Sequence, residues 1–273
     1  MRQPPPAPAS PPRGVLHAVN EPVDVEHERL LPPPDLAPWV AHFWSVRWTL
    51  QQPLEVKTLP HPVVHLTVER DADGERVVVG GPHHRPFVLT LVGEGRVVGI
   101  KFRPAMFHAL CADVSRLANH SDLDDNAFGL SAQALAAATT GTLAASIEPL
   151  SLLLREHLRV PAADDVIVRD LVEAAEHDRT LCRVDDLVGR SGLPLRTLQR
   201  RFVRAVGVTP KWVLLRYRLH EAAERLKAAP STSLATLAAD LGYADQAHFA
   251  RDFRATIGVP PHVFASSFAS GAL

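Results

Sequence analysis

Leu198–Pro210 reads LQRRFVRAVGVTP, and 51 residues further on Phe249–Pro261 reads FARDFRATIGVPP. In both, an apolar anchor is followed by an Arg two positions on, a Phe two further, and a Gly-Val pair. Phe202, Gly207, Val208 and Pro210 match Phe253, Gly258, Val259 and Pro261. Shared spacing over so many special residues indicates two copies of one supersecondary unit. Upstream of each copy lie a short apolar helix pattern and a Gly (Gly192, Gly242), the layout of a helix-turn-helix.

Within each copy the helical period separates two faces. Leu198, Phe202 and Ala205 share one face, which leaves Arg196, Gln199, Arg200 and Arg204 on the other. In the second copy Phe249, Phe253 and Ile257 form the buried stripe. Gln246, Ala247, His248, Arg251 and Arg254 lie on or near the exposed side. Pro194 suits the first helical position of the first copy, where its missing N–H costs nothing. Between the copies Thr209-Pro210 caps a long helix running to about Ala228, and Trp212, Leu215, Leu219, Ala222 and Leu226 give it one continuous apolar face. Trp212 and Tyr243 read as packing residues. A stiff helix of this kind fixes the distance between the two units.

Charge follows the same division. Residues 179–262 carry 14 Lys+Arg against 7 Asp+Glu, whereas the whole 273-residue chain has a net charge of −1. Between Asp186 and Glu221 there is no acid, only Arg190, Arg196, Arg200, Arg201, Arg204, Lys211, Arg216 and Arg218. A basic block inside a folded segment points to a polyanion partner for that half alone. Arg and Gln suit guanine and adenine edges in a major groove, while neighbouring cations hold phosphates.

Residues of about 180–264 resemble the DNA-binding domain of AraC/XylS-type transcription regulators. The residues that carry the resemblance are LQRRF and GVTP, the linker helix RYRLHEAAERL (216–226), and ATLAADLGYADQAHFARDF with GVPP. The resemblance implies base reading by Arg196, Gln199 and Arg200 in the first unit, and by Gln246, Ala247, His248 and Arg251 in the second. Ala247 has no hydrogen-bonding group and offers only a contact to a thymine methyl. Arg190, Arg201, Arg204, Lys211 and Arg254 are the expected phosphate contacts. Many members carry a basic residue after the final aromatic, but here Ala265 follows Phe264, so no phosphate contact is expected there.

Ahead of this domain the pattern is strand-like. HFWSVRWT (42–49), VVHLTVE (63–69), RVVVG (76–80), PFVLTL (86–91) and RVVGIKF (96–102) are separated by turn signals at Asp73-Gly74, Gly80-Gly81-Pro82 and Gly93-Glu94-Gly95. The last of these reads as a hairpin turn, since its glycine spacing does not begin a dinucleotide fingerprint. Helical patterns follow at AMFHALCA, 129–139, 146–158 and 164–177. The fold class expected is α+β: a small antiparallel β-sheet or barrel with helices, then an all-α domain of two helix-turn-helix units joined by a long helix. The expected division is a disordered Pro/Ala-rich arm at 1–13, a sensor domain at 14–163 and the tandem DNA-binding domain at 164–273. Phe43-Trp44-Ser45-Val46 and Phe102-Arg103-Pro104 loosely resemble the β-rich sensor domains of a subgroup common in high-GC bacteria.

Trp44, Trp48, His65, Phe87 and Arg103 are the candidates for an effector pocket. An aromatic cluster in a sheet is more often core, and Arg103 more often a structural ion pair. His61 and His65, four apart, would share one side of a strand, with His83-His84 beyond. No carboxylate stands at a fixed spacing from them, and no metal or cofactor is expected. Cys111 and Cys182 are too few for a disulfide scaffold, and too few for the zinc-activated cysteine of a DNA-repair methyltransferase. No signal-peptide pattern or membrane-length apolar run is present. The expectation is a cytoplasmic, non-enzymatic, sequence-specific transcription regulator. Its partners would be double-stranded DNA, RNA polymerase and an unknown small-molecule effector, without a membrane. The Ala/Leu-rich segment 129–159 is a candidate homodimer surface. The competing reading is a non-specific architectural DNA binder, which Gln199, Gln246 and His248 would serve poorly.

Overall fold

The computed structural model describes residues 24–119, 121–122 and 127–269, and the expected arm at 1–13 lies outside them. The N-terminal part is built on β1 (Val25–Leu30), β2 (Val40–Thr49), β3 (Leu54–Thr58), β4 (His65–Asp71), β5 (Gly74–Gly80), β6 (Phe87–Leu91), β7 (Glu94–Phe102) and β8 (Ser121–Asp122). Six strands form one sheet in the order β1-β2-β7-β4-β5-β8, while β3 and β6 pair separately. All pairings are antiparallel.

Side-chain alternation gives the large sheet two apolar faces. Phe43, Leu66, Val68, Val79, Val98 and Ile100 face α1 (Ala132–Ala138) and α2 (Leu143–His157), which contribute Leu135, Leu143, Ile147, Leu150 and Leu154. Trp48 and Val97 pack instead against Leu54, Val56, Leu89 and Leu91 of the small sheet. Segment 129–159 is thus largely spent on its own sheet, although Leu152 stays exposed.

The helical domain contains α3 (Ala163–His177), α4 (Val184–Ser191), α5 (Leu195–Val206), α6 (Pro210–Ala228), α7 (Leu234–Asp240), α8 (Gln246–Ile257) and α9 (Pro261–Ala269). It has two cores. Val168, Leu171 and Val172 of α3 join Leu187, Leu198, Phe202, Ala205, Val213, Leu214 and Tyr217 in the first. Leu219, Ala222, Leu226, Leu237, Phe249, Phe253, Ile257 and Phe264 make the second. The expected α+β organisation, an antiparallel sheet followed by a helical domain, is the one observed.

Several local expectations change. AMFHALCA forms only a 3-10 turn, Met106–Ala109, entered through Ala105 at φ 64°. Gly93, at φ 57°, makes a turn between strands of different sheets and not a hairpin, because β6 pairs with β3 while β7 pairs with β2 and β4. His61 precedes β4, so it and His65 part company: His61 lies against His220 and His65 against Trp44. Pro194 is the N-cap of α5, one residue before the first helical position. The long helix α6 has the expected bounds but not the expected single face. Arg216, Tyr217 and His220 are buried alongside Leu219 and Ala222, while Trp212 and Leu215 are only half-buried. The reason is tertiary: α6 closes both helical cores and also lies against the N-terminal domain.

Candidate nucleic-acid interface

Each helix-turn-helix turns on a glycine in the left-handed region, Gly192 at φ 67° after α4 and Gly242 at φ 74° after α7. Each second helix ends on another, Gly207 at φ 86° and Gly258 at φ 95°, whose N–H groups bond Val203 O and Arg254 O. A left-handed glycine just past the last turn satisfies the terminal carbonyls without a Cβ penalty. With these ends fixed, Phe202 and Phe253 anchor α5 and α8 at 0% exposure.

The opposite faces are open. Arg196, Gln199 and Arg200 on α5 are exposed, as are Gln246, Ala247, His248 and Arg251 on α8. All lie in the N-terminal half of their helix. His248 adds local contacts, its Nε2 lying 3.4 Å from Asp252 and its ring edge-on to Tyr243. The helix starts differ. Asp245 caps α8, its carboxylate accepting the His248 N–H at 2.6 Å. α5 begins at Pro194 with no side-chain cap, which leaves its first N–H groups uncapped.

The expected phosphate contacts divide. Lys211 and Arg254 are exposed. Arg190 pairs with Asp178 at 3.0 Å, Arg201 with Asp164 at 2.9 Å, and Arg204 donates to Ala112 O at 3.1 Å. Arg216, counted in the basic block, is 3% exposed. It stacks on Trp212 at 4.5 Å and donates to His84 O at 2.9 Å, and burial lowers its pKa to about 10. Arg218 lies over Tyr243 at 4.9 Å. Part of the basic block therefore holds the molecule together, which no charge count along the sequence distinguishes from an outward-facing role.

A helix-turn-helix domain family matches residues 187–267, a span that holds α5, α6, α7 and α8 entire and most of α4. These residues form an AraC/XylS-type domain. A domain of unknown function (DUF6597) matches residues 28–121, the strand-built part. The HTH-type transcriptional activator RhaS of Pectobacterium carotovorum is 40% identical over 75 residues, covering 28% of this chain and 26% of that protein. The transcriptional activator NphR of Rhodococcus is 30% identical over 126 residues, covering 44% of this chain and 37% of that one. The match thus spans about a quarter of the RhaS length. Among solved structures, the DNA-binding domain of AdpA in complex with a target DNA is similar at 24% identity and TM-score 0.34, over 38% of this chain and 95% of that one. ToxT from Vibrio cholerae is similar at 12% identity and TM-score 0.42, over 89% and 98%.

The expected effector residues are not drawn into one site ahead of the AraC/XylS-type domain. Trp48 is buried against the small sheet, its indole N–H donating to Val92 O at 3.3 Å. Trp44 meets His65 edge-on with ring centroids 5.8 Å apart. Desolvation, then the like charge of Lys101, pushes His65 and its neighbour His42 down to about 3, so both imidazoles are neutral. Arg103 forms a two-pronged pair with Glu173 of α3 and a bond to Ala37 O, so it is a structural tie between the domains. Phe87 opens β6. A surface groove of about 470 Å³ lies elsewhere, lined by His83, His84, Arg85, Pro86, Val88 and Asn119. No group of three or more His, Cys, Asp or Glu that could hold a metal ion occurs among the described residues. None of their helices is long and apolar enough to cross a membrane.

Proposed function

We infer that this chain is a sequence-specific regulator of transcription that reads double-stranded DNA with α5 and α8 in successive major grooves. One observation carries the reading: two recognition helices on one continuous helix expose Arg196, Gln199 and Arg200 at one end and Gln246, His248 and Arg251 at the other. These long polar side chains match base-edge donors and acceptors, and the bare N-terminus of α5 suits a phosphate. Gln199 and Gln246 add nothing to charge neutralisation, which weighs against an architectural role. Two helix-turn-helix units repeated head to tail imply an asymmetric site with contacts about 10 base pairs apart. We place the boundary of the DNA-binding domain ahead of α3, whose apolar face completes the first core. The strand-built domain is the place for an effector or a protein partner. RNA polymerase and a second copy of the chain fit as further partners.

Selection of binding sites from random DNA by the full chain tests this reading. The expected product is a non-palindromic motif in two blocks one helical turn apart. Recovery of no preferred sequence, with scrambled DNA competing equally, would establish the architectural reading instead.

A further inference from the structure

The two recognition helices end against the same neighbour. At the C-terminus of α5, a Cβ added to Gly207 would stand 3.0 Å from Pro82 Cγ and from Val114 O. At the C-terminus of α8, a Cβ added to Gly258 would stand 3.0 Å from Lys57 Nζ. Pro82, Val114 and Lys57 all belong to the N-terminal domain. That domain also enters both helical cores. Ala105 and Met106, the latter 1% exposed, belong to the first core, and Leu59, 3% exposed, belongs to the second. Along α6, Arg216 donates to His84 O and His220 Nε2 donates to Pro60 O at 3.1 Å. The His220 imidazole is held neutral, its pKa lowered by burial to about 3, so an uncharged N–H makes this bond.

We propose that the N-terminal domain is a clamp that sets the relative position of the two recognition helices, with Lys57 and Leu59 as positioning residues for α8 and Met106 for α5. An α-helix alone leaves each unit free to rock on its own small core. A body that contributes a core residue to each unit and abuts the C-terminal end of each recognition helix removes that freedom. Lys57 approaches the negative end of the α8 dipole, where a cation is stabilised. The clamp grips the C-terminal ends only, so the N-terminal halves with their exposed side chains stay available. Spacing between the two reading surfaces thus belongs to the whole chain and not to the helical domain. The structural part of this proposal stands on the contacts alone, whereas its consequence for DNA rests on the two-groove reading above.

The test uses the full chain with Cys182→Ser and spin labels at Val203→Cys and Ala255→Cys, exposed positions on α5 and α8 outside the reading sets. The parent should give one narrow distance distribution, and Lys57→Glu with Leu59→Ala should broaden it while circular dichroism keeps its helical signal. His220→Ala should broaden it and His220→Gln, which retains an N–H donor, should restore it, so a folding failure of the first variant does not end the test. On the selected DNA with zero to three base pairs inserted between blocks, the parent should bind steeply better at one spacing. The unlabelled Lys57→Glu/Leu59→Ala variant should lose that preference and bind the best site about tenfold or more weakly, as rigid bivalence is lost. An unchanged distance distribution in both the double variant and His220→Ala would overturn the clamp. A narrow parent distribution that the double variant broadens, in a chain that prefers no DNA sequence, would uphold the clamp and reject the two-groove reading.

Discussion

The two helix-turn-helix units share one backbone plan and differ in electrostatics. Helices α4 and α5 carry five Arg and two Asp, whereas α7 and α8 carry two Arg and two Asp. The first recognition helix starts bare at Pro194, and the second starts under the Asp245 carboxylate. Both bury a Phe completely and both end on a left-handed Gly. Packing and capping at the C-terminal end are thus what the repeat preserves, because both cores need them. Surface charge is free to diverge, and on the proposed two-groove reading the divergence becomes a division of labour: the first unit would grip and read, while the second would mainly read. A bare helix start facing a phosphate gains from its dipole and free N–H groups, while one already holding a carboxylate offers less.

The largest effects should show where the units are alike. Phe202→Ala and Phe253→Ala each empty a fully buried ring position and should each cost about 3–5 kcal/mol of stability by denaturant titration. Similar costs would confirm equivalent cores; a small cost for one would show that its unit is held by its neighbours instead.

Next come the reading residues. Arg200→Ala should weaken binding by about 1–3 kcal/mol and relax base preference in one groove, with Arg251→Ala doing the same in the other. Footprints of the two variants should lose protection at different base pairs. Loss at the same base pairs would mean one reading surface and would break the comparison outright. The salt dependence should separate them further, since each lost phosphate contact lowers the log–log slope by about 0.9. Lys211→Ala, at an expected phosphate contact, should lower it more than Gln246→Ala.

The smallest effect concerns the helix starts. Asp245→Ala removes the cap of α8 and should cost about 1 kcal/mol of stability. It also removes a negative charge from the second unit, so affinity per folded molecule should hold or rise. A fall in affinity with unchanged stability would show Asp245 to be a reading residue and not a cap.

Much of this was legible in the chain. Helix period, the two Phe-Gly-Val-Pro repeats and the Thr209-Pro210 start located α5, α6 and α8, because those signals are local: a face every 3.6 residues, a cap, a left-handed glycine. The exposed faces of α5 and α8 followed, since a side chain opposite a buried stripe has nowhere else to go. The strands β1 and β3 were not legible. VEHERL and LEVKT alternate too weakly, because β1 is an edge strand with no buried side chain and β3 belongs to a two-stranded sheet.

What the sequence by itself determined, then, was the pair of recognition units and the helix between them. The tertiary structure decided which cations face outward. Arg201 and Arg216 look like Arg196 and Arg200 in a charge count, yet Asp164 and the His84 carbonyl take them up, while Arg204 stays exposed but is tied to the Ala112 carbonyl. Those partners lie between about 40 and 130 residues away in the chain, too far for any periodicity to register. Only the folded chain brings Leu59, Ala105 and Met106 into cores whose other buried members lie in the helical domain. An apolar residue declares in sequence that it will be buried, but the body it is buried in depends on how the domains meet.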